Sequence, residues 1–269
     1  MQQEAKQFAS FAERYEATLV PVIFRPWAKE LIRRLNPKDG ENILDLACGT
    51  GVVTREIMAS GISPGSLTAL DHNADMLVVA RENGTLLGVE AEWVEGDAGA
   101  LPFPDDRFDL AFCQQALQFF PDRLAALREL RRVLRPGGRT AFCVQRDLSC
   151  NPMLKAQANA LEKHVGADAG SAVRAICSLY DVDQIRQLFT DAGFNNIEIE
   201  SVSLELSHPD GRAFAAGAMG GMHSGDKLSA TDQSKRQQCI DEFLSGLDDC
   251  YDGTAIRFPH VSHVITGHT

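Results

Sequence analysis

The stretch NILDLACGTG at residues 42–51 constrains the fold of this chain more than any other segment. Its unbroken apolar run predicts a parallel strand over Ile43–Ala47 that is covered on both faces. A glycine turn follows, and a helix is expected over about Val52–Ser60. Gly49 and Gly51 allow positive φ and let a ligand approach the backbone closely. A strand, a glycine turn and a helix in this order predict a ligand site at the helix N-terminus.

The residues around this turn limit which ligands can bind there. A dinucleotide-binding fingerprint requires a third glycine three residues after the second, and Thr54 stands there instead. A nicotinamide-dependent reductase is therefore a weakened alternative. Asp45 precedes the turn, where it would repel a pyrophosphate and would suit an ammonium group or a cationic centre. Thr50 is the expected cap of the helix.

Two more acids follow two more predicted strands. Asp71 ends a strand expected over Ser66–Leu70, and Asp97 follows one expected over Ala91–Glu95. Ligands of open α/β sheets bind at the carboxyl ends of the strands, so all three acids should lie at that edge. An acid after the second strand is the usual partner of ribose hydroxyls, and Asp97 with Ala98 suits an adenine amino group. A ribose, an adenine and a cationic head together indicate S-adenosylmethionine.

Four ordered motifs carry a family resemblance: DLACGTG, LDHNADML, GDAGALPFPDDRFDLAFCQQALQFFPD and LRELRRVLRPGGR. They resemble the class I S-adenosylmethionine-dependent methyltransferases, and most of all the ubiquinone and menaquinone biosynthesis branch (methyltransferase type 11). The resemblance covers roughly residues 40–146. It implies an α/β, Rossmann-like fold with a mostly parallel seven-stranded sheet, helices on both faces and an antiparallel last strand. It also implies S-adenosyl-L-methionine as cofactor.

The expected cofactor site combines residues of the turn, of the three strand ends and of the N-terminal helix. It comprises Tyr15, Asp45, Ala47, Cys48, Gly49, Gly51, Asp71, His72, Met76, Asp97, Ala98 and Gln114. The resemblance implies that Met76 packs on the adenine and that Tyr15 touches the methionine end, with ordinary core packing as the alternative for each. Gln114 and Gln115 emerge at the ligand edge, where their amides could accept from the cofactor's ammonium group or hold an acceptor hydroxyl.

We expect one methyltransferase domain over residues 1–269. Its parts are an N-terminal helical cap at 1–38, a cofactor-binding core at 39–146, a lid insertion at 147–180, a helix and strand of the core at 181–206, a second helical insertion at 207–250 and a closing strand at 251–269. The cap and the two insertions are the expected acceptor pocket.

Several local features are predicted outside the core motifs. Residues 4–19 have the spacing of an amphipathic helix. A shift in apolar phase between Ile199 and Val202 predicts a β-bulge. The glycine-rich segment GAMGGMHSG, residues 217–225, is expected to be flexible, and a helix is expected over about Asp232–Cys250.

Methyl transfer from a sulfonium mainly requires alignment of the nucleophile and exclusion of water, so a catalytic dyad is not obligatory. His164 and His223, in the insertions, and Tyr15 are weak candidates for a base. His260 and His263 are three apart on a predicted strand and should face opposite ways. That spacing argues against a shared metal site, and we expect no metal.

Net charge and cysteine usage limit the partners and the compartment. The net charge of −11 disfavours nucleic acid as a partner. No apolar run approaches the roughly 18 residues of a membrane span, and the N-terminus lacks a signal-peptide core. Seven irregularly spaced cysteines indicate reduced thiols and a cytoplasmic protein.

The predicted activity is methyl transfer to oxygen or carbon of a small or lipophilic organic acceptor, by a monomer or homodimer. The alternative is a non-catalytic protein that binds S-adenosylmethionine as a sensor or interaction module.

Overall fold

A computed structural model describes residues 10–220, 228 and 231–269, and in these residues a seven-stranded sheet is flanked by helices. The strands are β1 (Asn42–Leu46), β2 (Ser66–Asp71), β3 (Glu92–Glu95), β4 (Phe108–Gln114), β5 (Leu134–Gln145), β6 (Asn195–His208) and β7 (Ile256–His268). Their order is β3-β2-β1-β4-β5-β7-β6. The strand β7 runs antiparallel to both of its neighbours, and the other pairs are parallel. The predicted fold class is confirmed.

The helices follow the strands in the expected alternation. They are α1 (Phe11–Leu19), α2 (Arg25–Leu35), α3 (Val52–Ala59), α4 (Ala74–Leu86), α5 (Arg123–Val133), α6 (Pro152–His164), α7 (Ala167–Ala175), α8 (Val182–Asp191), α9 (Gly211–Gly220) and α10 (Gln233–Ser245). A π-helical segment, Val20–Phe24, joins α1 to α2. None of the helices in the described part of the chain has the length and apolarity that crossing a membrane would require.

The strand β1 lies at the centre of the parallel part of the sheet because both of its faces are apolar. Ile43 and Leu44 are fully buried and belong to the cores on opposite faces. The strand pairs with β2 on one side and β4 on the other, so the chain reverses its direction of winding there. The crevice at such a switch point is where open α/β sheets bind ligands.

One face of the sheet carries a helical cover built from the N-terminal cap and the insertions. The helix α6 packs against α7 and α10, α10 packs against α9, and α9 packs against α1. Gly217 in α9 permits the last contact, since a Cβ there would lie 2.3 Å from the Thr18 side chain. The other face is covered by α5 and α8, where Phe142 and Phe189 meet edge to face at 5.1 Å.

The structure corrects three local predictions. The N-cap of α3 is Gly51 and not Thr50, whose buried hydroxyl has no hydrogen-bond partner among the described residues. The irregularity in β6 lies between Asn195 and Glu198, nearer the strand start than predicted. Residues 217–220 of the glycine-rich segment are helical, because α9 continues to Gly220.

For three local predictions the outcome is partial. The predicted flexibility of residues 221–225 and the part of the predicted first helix before residue 10 lie outside the described residues. The predicted helix over Asp232–Cys250 is divided, because α10 ends at Ser245 and a short 3₁₀ turn covers Asp248–Cys250.

Candidate functional site

The carboxylate of Asp45 holds the start of α3. One of its oxygens accepts hydrogen bonds from the backbone N–H and the hydroxyl of Thr54, at 3.0 and 2.7 Å. The side chain is 1% exposed. Burial raises the pKa of Asp45 to about 6, although the bonds from Thr54 oppose that shift. Asp45 therefore holds the turn, and Thr54 has a function in place of the missing third glycine. The contact of Asp45 with a cationic ligand stays a prediction.

Two other predicted residues of the turn also pack inward. Gly51 has φ +79°, and a Cβ there would lie 2.7 Å from the ring of Trp93. Cys48 is buried in a small cluster with Ala69 and Leu77. Burial raises the pKa of its thiol well above the usual range. Both residues shape the turn from behind and do not line the cleft described next.

A cleft with about 1350 Å³ of free space, including its mouth, opens at the carboxyl ends of β1, β2 and β4. We call it the sheet-edge cleft. It is lined by the predicted residues Tyr15, Ala47, Gly49, Asp71, His72, Met76, Asp97, Ala98 and Gln114, together with Phe11, Leu70, Asn73, Gly96, Gln115, Ala116, Phe119, Phe120 and Pro121. Of the predicted cofactor residues, all but Asp45, Cys48 and Gly51 therefore meet in one space.

The acidic side of this cleft is formed by Asp71 and Asp97. The carboxylate of Asp71 accepts hydrogen bonds from the backbone N–H of Gly49 at 2.8 Å and of Asn73 at 2.9 Å. These bonds fix its direction at the end of β2, where it is 6% exposed. Asp97 accepts from the backbone N–H of Gly99 at 2.8 Å and is exposed. Two oriented carboxylates suit hydroxyl and ammonium donors of a ligand.

The opposite side of the cleft offers a neutral acceptor. The side-chain N–H of Gln114 donates to the carbonyl of Phe24 at 2.8 Å, which ties β4 to the segment before α2. The amide oxygen of Gln114 is buried and has no partner among the described residues. A buried oxygen of this kind is costly unless a ligand donates to it.

A second cavity, of about 870 Å³ with its mouth, adjoins the sheet-edge cleft. We call it the apolar chamber. Its lining is Phe11, Tyr15, Leu19, Ile23, Phe24, Gln115, Gln118, Phe119, Gln145, Met153, Leu154, Gln157, Ala172, Val173, Ile176 and His260. The two cavities share Phe11, Tyr15, Gln115 and Phe119. The walls come from the N-terminal cap, from the lid insertion and from the ends of β4, β5 and β7.

Tyr15 stands where the two cavities meet. Its ring stacks on Phe24 with the centroids 4.7 Å apart and is 6.1 Å from the ring of Phe11. Burial, and next the charge of Glu16, raise the pKa of Tyr15 well above its usual range. The phenol is therefore neutral at physiological pH, and it offers a hydroxyl between the cavities without a charge.

His260 lies at the bottom of the apolar chamber. Its Nδ1 accepts a hydrogen bond from the indole N–H of Trp27 at 2.7 Å. Burial lowers the pKa of His260 to about 3, so the ring is neutral at physiological pH. His263 faces the other side of β7, where its ring lies 3.0 Å from the carbonyl of Tyr180, as the strand periodicity predicts.

Sequence reasoning missed Gln118, Gln145, Gln157 and His260, which give the chamber its polar atoms. A signal was available for two of them. Gln145 ends β5 as Gln114 ends β4, and His260 occupies the same strand phase as the buried Phe258. A polar residue in the apolar phase of a buried strand indicates a polar contact in the interior.

The weak histidine candidates do not take part in this arrangement. His164 ends α6, 3.9 Å from Glu242, and does not line the chamber. His223 lies outside the described residues. Within the described ranges, no cluster of His, Cys, Asp and Glu side chains could hold a metal ion.

Comparisons with known proteins agree with this architecture. Residues 2–207 match the model of the ubiE/COQ5 methyltransferase family. The demethylmenaquinone methyltransferase of Corynebacterium kroppenstedtii is 38% identical over 142 residues, which cover 52% of this chain and 58% of that relative. The ubiquinone/menaquinone biosynthesis C-methyltransferase UbiE of Francisella tularensis is 31% identical over 67% of this chain and 77% of that protein.

A solved structure supports the fold. The YcgJ protein from Bacillus subtilis superimposes with a TM-score of 0.59 at 21% identity, over 90% of this chain and 97% of that one.

Proposed function

The chain belongs to the ubiE/COQ5 methyltransferase family, and on that premise we propose that it transfers the methyl group of S-adenosylmethionine to a lipophilic, oxygen-bearing ring compound. One observation carries the proposal. The sheet-edge cleft and the apolar chamber are adjacent and share the lining residues Phe11, Tyr15, Gln115 and Phe119. A cofactor in the first cavity and an acceptor in the second would meet at these four side chains.

The residues of the cleft fit the cofactor's chemistry. Asp71 is held by two backbone N–H groups at the end of β2 and suits the ribose hydroxyls. Met76 and Ala98 supply apolar contact for the adenine, and the exposed carboxylate of Asp97 suits its amino group. The unpartnered oxygen of Gln114 suits the ammonium group. Gly49 has φ +55° and no atom within 4 Å of the position of a Cβ, so ligand atoms can approach the turn.

Bound S-adenosylmethionine supplies an electrophilic methyl group. The chain's own contribution is to position the acceptor and to exclude water, which together can lower a barrier by roughly 7–11 kcal/mol when the reactants are well oriented. The aromatic rings of Phe11, Tyr15 and Phe24 cover the junction of the two cavities. The raised pKa of Tyr15 keeps its phenol protonated there, so it can hydrogen-bond an acceptor oxygen and cannot act as a ready base.

The character of the chamber supports a lipophilic acceptor. Among the described residues, its lining has no carboxylate, lysine or arginine, and the two titratable side chains found there, Tyr15 and His260, are neutral. An acceptor that is charged along its length would lose its hydration without compensation there. The names of the relatives suggest a ring of the demethylmenaquinone type, and carbon as the site of methylation. Oxygen of the same ring is the second choice.

The proposal also covers the domain organisation, the cellular compartment, the partners and the oligomeric state. Described residues of the cap (1–38) and of the lid insertion (147–180) line the acceptor chamber of one methyltransferase domain. The described helices of the second insertion (207–250) pack beside them, since α1, α6, α7, α9 and α10 form one cover. Seven free thiols favour a reducing compartment, the cytoplasm. The net charge of −11 disfavours nucleic acid as a partner. A monomer or a homodimer suits these features.

Mass spectrometry of the products tests the proposed function. The protein is incubated with S-adenosylmethionine carrying a trideuterated methyl group and with a reduced demethylmenaquinone of short side chain. A product that gains one labelled methyl group on a ring carbon supports the proposal, and gain on oxygen supports the second choice. Absence of labelled product, with cofactor bound and with a related enzyme active as positive control, refutes this acceptor class.

A further inference from the structure

A chain of buried polar side chains runs from the core to the junction of the two cavities. It begins at Trp27, passes through His260, Gln145 and Ser262, and ends at Gln115. The exposed fraction of each of these side chains is 8% or less. Buried groups of this kind satisfy one another, so the direction of each hydrogen bond constrains the next.

The first link fixes the proton on His260. An indole N–H is a donor only, so Nδ1 of His260 must accept from Trp27, 2.7 Å away. A neutral imidazole has one acceptor nitrogen and one donor nitrogen. Its proton therefore lies on Nε2, which points at the side-chain amide of Gln145, 2.7 Å away.

The second link follows from the first. The Nε2–H of His260 needs an acceptor, and of the two ends of the Gln145 amide only the oxygen accepts. The two ends have nearly the same shape, so hydrogen bonding decides which faces the ring. The structure places Nε2 of Gln145 beside the ring and its oxygen 3.3 Å from the hydroxyl of Ser262. With the two ends of the amide exchanged, the oxygen accepts from His260 and the NH₂ group donates to Ser262.

The third link determines which end of the Gln115 amide faces the two cavities. Ser262 is fully buried, and its hydroxyl has two polar neighbours in the described part of the chain, Gln145 and Gln115. It accepts from Gln145, so its own hydrogen goes to Gln115, 2.8 Å away. The structure places Nε2 of Gln115 at this contact, and the order of donors requires the two ends of that amide to be exchanged, so that its oxygen faces the hydroxyl. The NH₂ group of Gln115 is left at the end of the amide that has no partner among the described residues. That end is buried beside both cavities.

The backbone of Gln115 is also held in one strained conformation by the surrounding structure. Its φ of +54° lies in the left-handed region, which is strained for a residue with a Cβ. A hydrogen bond from its N–H to the carbonyl of Cys143, at 2.9 Å, keeps it there. Strain of this kind persists where the surrounding structure imposes it, and functional sites are common locations.

We infer that Gln115 is a specificity-determining residue whose NH₂ group donates to an oxygen of the acceptor, so that the chamber selects ring compounds with a carbonyl or oxyanion oxygen beside the methylated position. The inference rests on the proposed function, which identifies the chamber as the acceptor site. The hydrogen-bond chain is the reason that Gln115 donates to the acceptor and does not accept from it. Gln118 has the opposite character, since its N–H donates to the Gln115 carbonyl at 3.1 Å and its buried oxygen is unpartnered among the described residues.

Two probes that differ by one carbonyl oxygen, 1-tetralone and tetralin, test the inference by binding alone. Titrations of the full chain with each probe, with and without S-adenosylhomocysteine, are followed by NMR. The wild type should bind 1-tetralone roughly tenfold more tightly, since tetralin leaves the Gln115 N–H groups unpaired. The ratio should fall to about one in Gln115→Met and remain in the control Gln187→Met, which changes an exposed glutamine of α8 outside both cavities.

The same spectra also test the hydrogen-bond chain directly. The nitrogen shifts of His260 should show protonation at Nε2, and Ser262→Ala should lower the tetralone preference by releasing the Gln115 amide. A ratio near one in the wild type, a ratio kept in Gln115→Met, no binding of 1-tetralone at millimolar concentration, or a His260 proton on Nδ1 each overturns the inference. Failure to bind S-adenosylhomocysteine would instead refute the proposed function, because the probe ratio is also measured without it.

Discussion

Thr54 donates its backbone N–H and its hydroxyl to the same carboxylate oxygen of Asp45, at 3.0 and 2.7 Å. The carboxylate therefore binds the first turn of α3 from the strand that precedes it. The glycine turn between them carries three residues in the left-handed region, Ala47, Gly49 and Gly51, and the first two line the sheet-edge cleft. The link between Asp45 and Thr54 thus fixes the shape of the turn on which the cofactor would rest.

Thr54→Val should destabilise the protein by about 1–3 kcal/mol, because the buried carboxylate of Asp45 loses a hydroxyl donor while the side-chain volume is kept. The measurement is the free energy of unfolding in urea at pH 8, where Asp45 is ionised, since burial raises its pKa to about 6. Thr85→Val is the control, because the Thr85 hydroxyl bonds a carbonyl of its own helix on an exposed face. Equal effects of the two substitutions would contradict the assigned role.

Gly51→Ala should be more costly than an ordinary substitution at positive φ. Its φ is +79°, and the new Cβ would lie 2.7 Å from the Trp93 ring. Gly61→Ala is a matched control, because Gly61 has φ +82° and open space around it. The control measures the backbone term alone, about 1–2 kcal/mol. A loss of unfolding free energy in Gly51→Ala no larger than in the control would show that the Trp93 ring moves aside at little cost.

Asp71→Asn should weaken binding of S-adenosylmethionine by about 1–3 kcal/mol, because a charged acceptor for ribose hydroxyls is replaced by a neutral amide. Calorimetric titration at fixed ionic strength measures this difference. Asp75→Asn removes the same charge from an exposed position in the first turn of α4 and controls for long-range electrostatics. If both variants bind the cofactor as the wild type does, Asp71 does not hold the ribose.

The buried ring of His260 predicts a loss of stability in mild acid. Its pKa is about 3 in the folded protein, against an ordinary value of 6.5. Between these values the unfolded chain binds the extra proton, so stability falls as the pH falls from about 6.5 toward 3. The contribution lost at pH 5 is about 2 kcal/mol relative to pH 8.

Unfolding titrations at several pH values, compared between the wild type and His260→Gln, check this expectation. The variant should lose that part of the pH dependence, whatever its stability at pH 8. His72→Gln serves as control, since the His72 side chain is 83% exposed. Identical pH profiles for the wild type and His260→Gln would show that the ring is not excluded from solvent in the way described.

Patterns among residues close together in the sequence were sufficient to predict the parallel half of the sheet. The apolar run of β1 predicts buried neighbours, and the side chains of Asn73 and Asp122, directly before α4 and α5, cap these helices. These features depend on contacts between residues that are close in the chain. The same holds for Gly49 and Asp71, which are brought together by one strand–helix unit.

The direction of individual side chains and the contacts of distant segments could not be predicted in this way. Nothing in the order of residues shows that Asp45 bonds to α3 while Asp71 borders the cleft, since both lie near the carboxyl end of the same kind of strand. Trp27 and His260 are 233 positions apart. Their contact depends on where β7 enters the sheet and on how the N-terminal cap covers it, which are properties of the whole fold.

A crystal structure of the protein soaked with S-adenosylhomocysteine and a reduced naphthoquinone tests the central claim most directly. We expect the ribose on Asp71, the adenine between Met76 and Ala98, and the sulfur facing the naphthoquinone ring across Tyr15 and Gln115. Density for the nucleoside elsewhere, an empty sheet-edge cleft at saturating ligand, or a ring bound outside the apolar chamber would contradict the account.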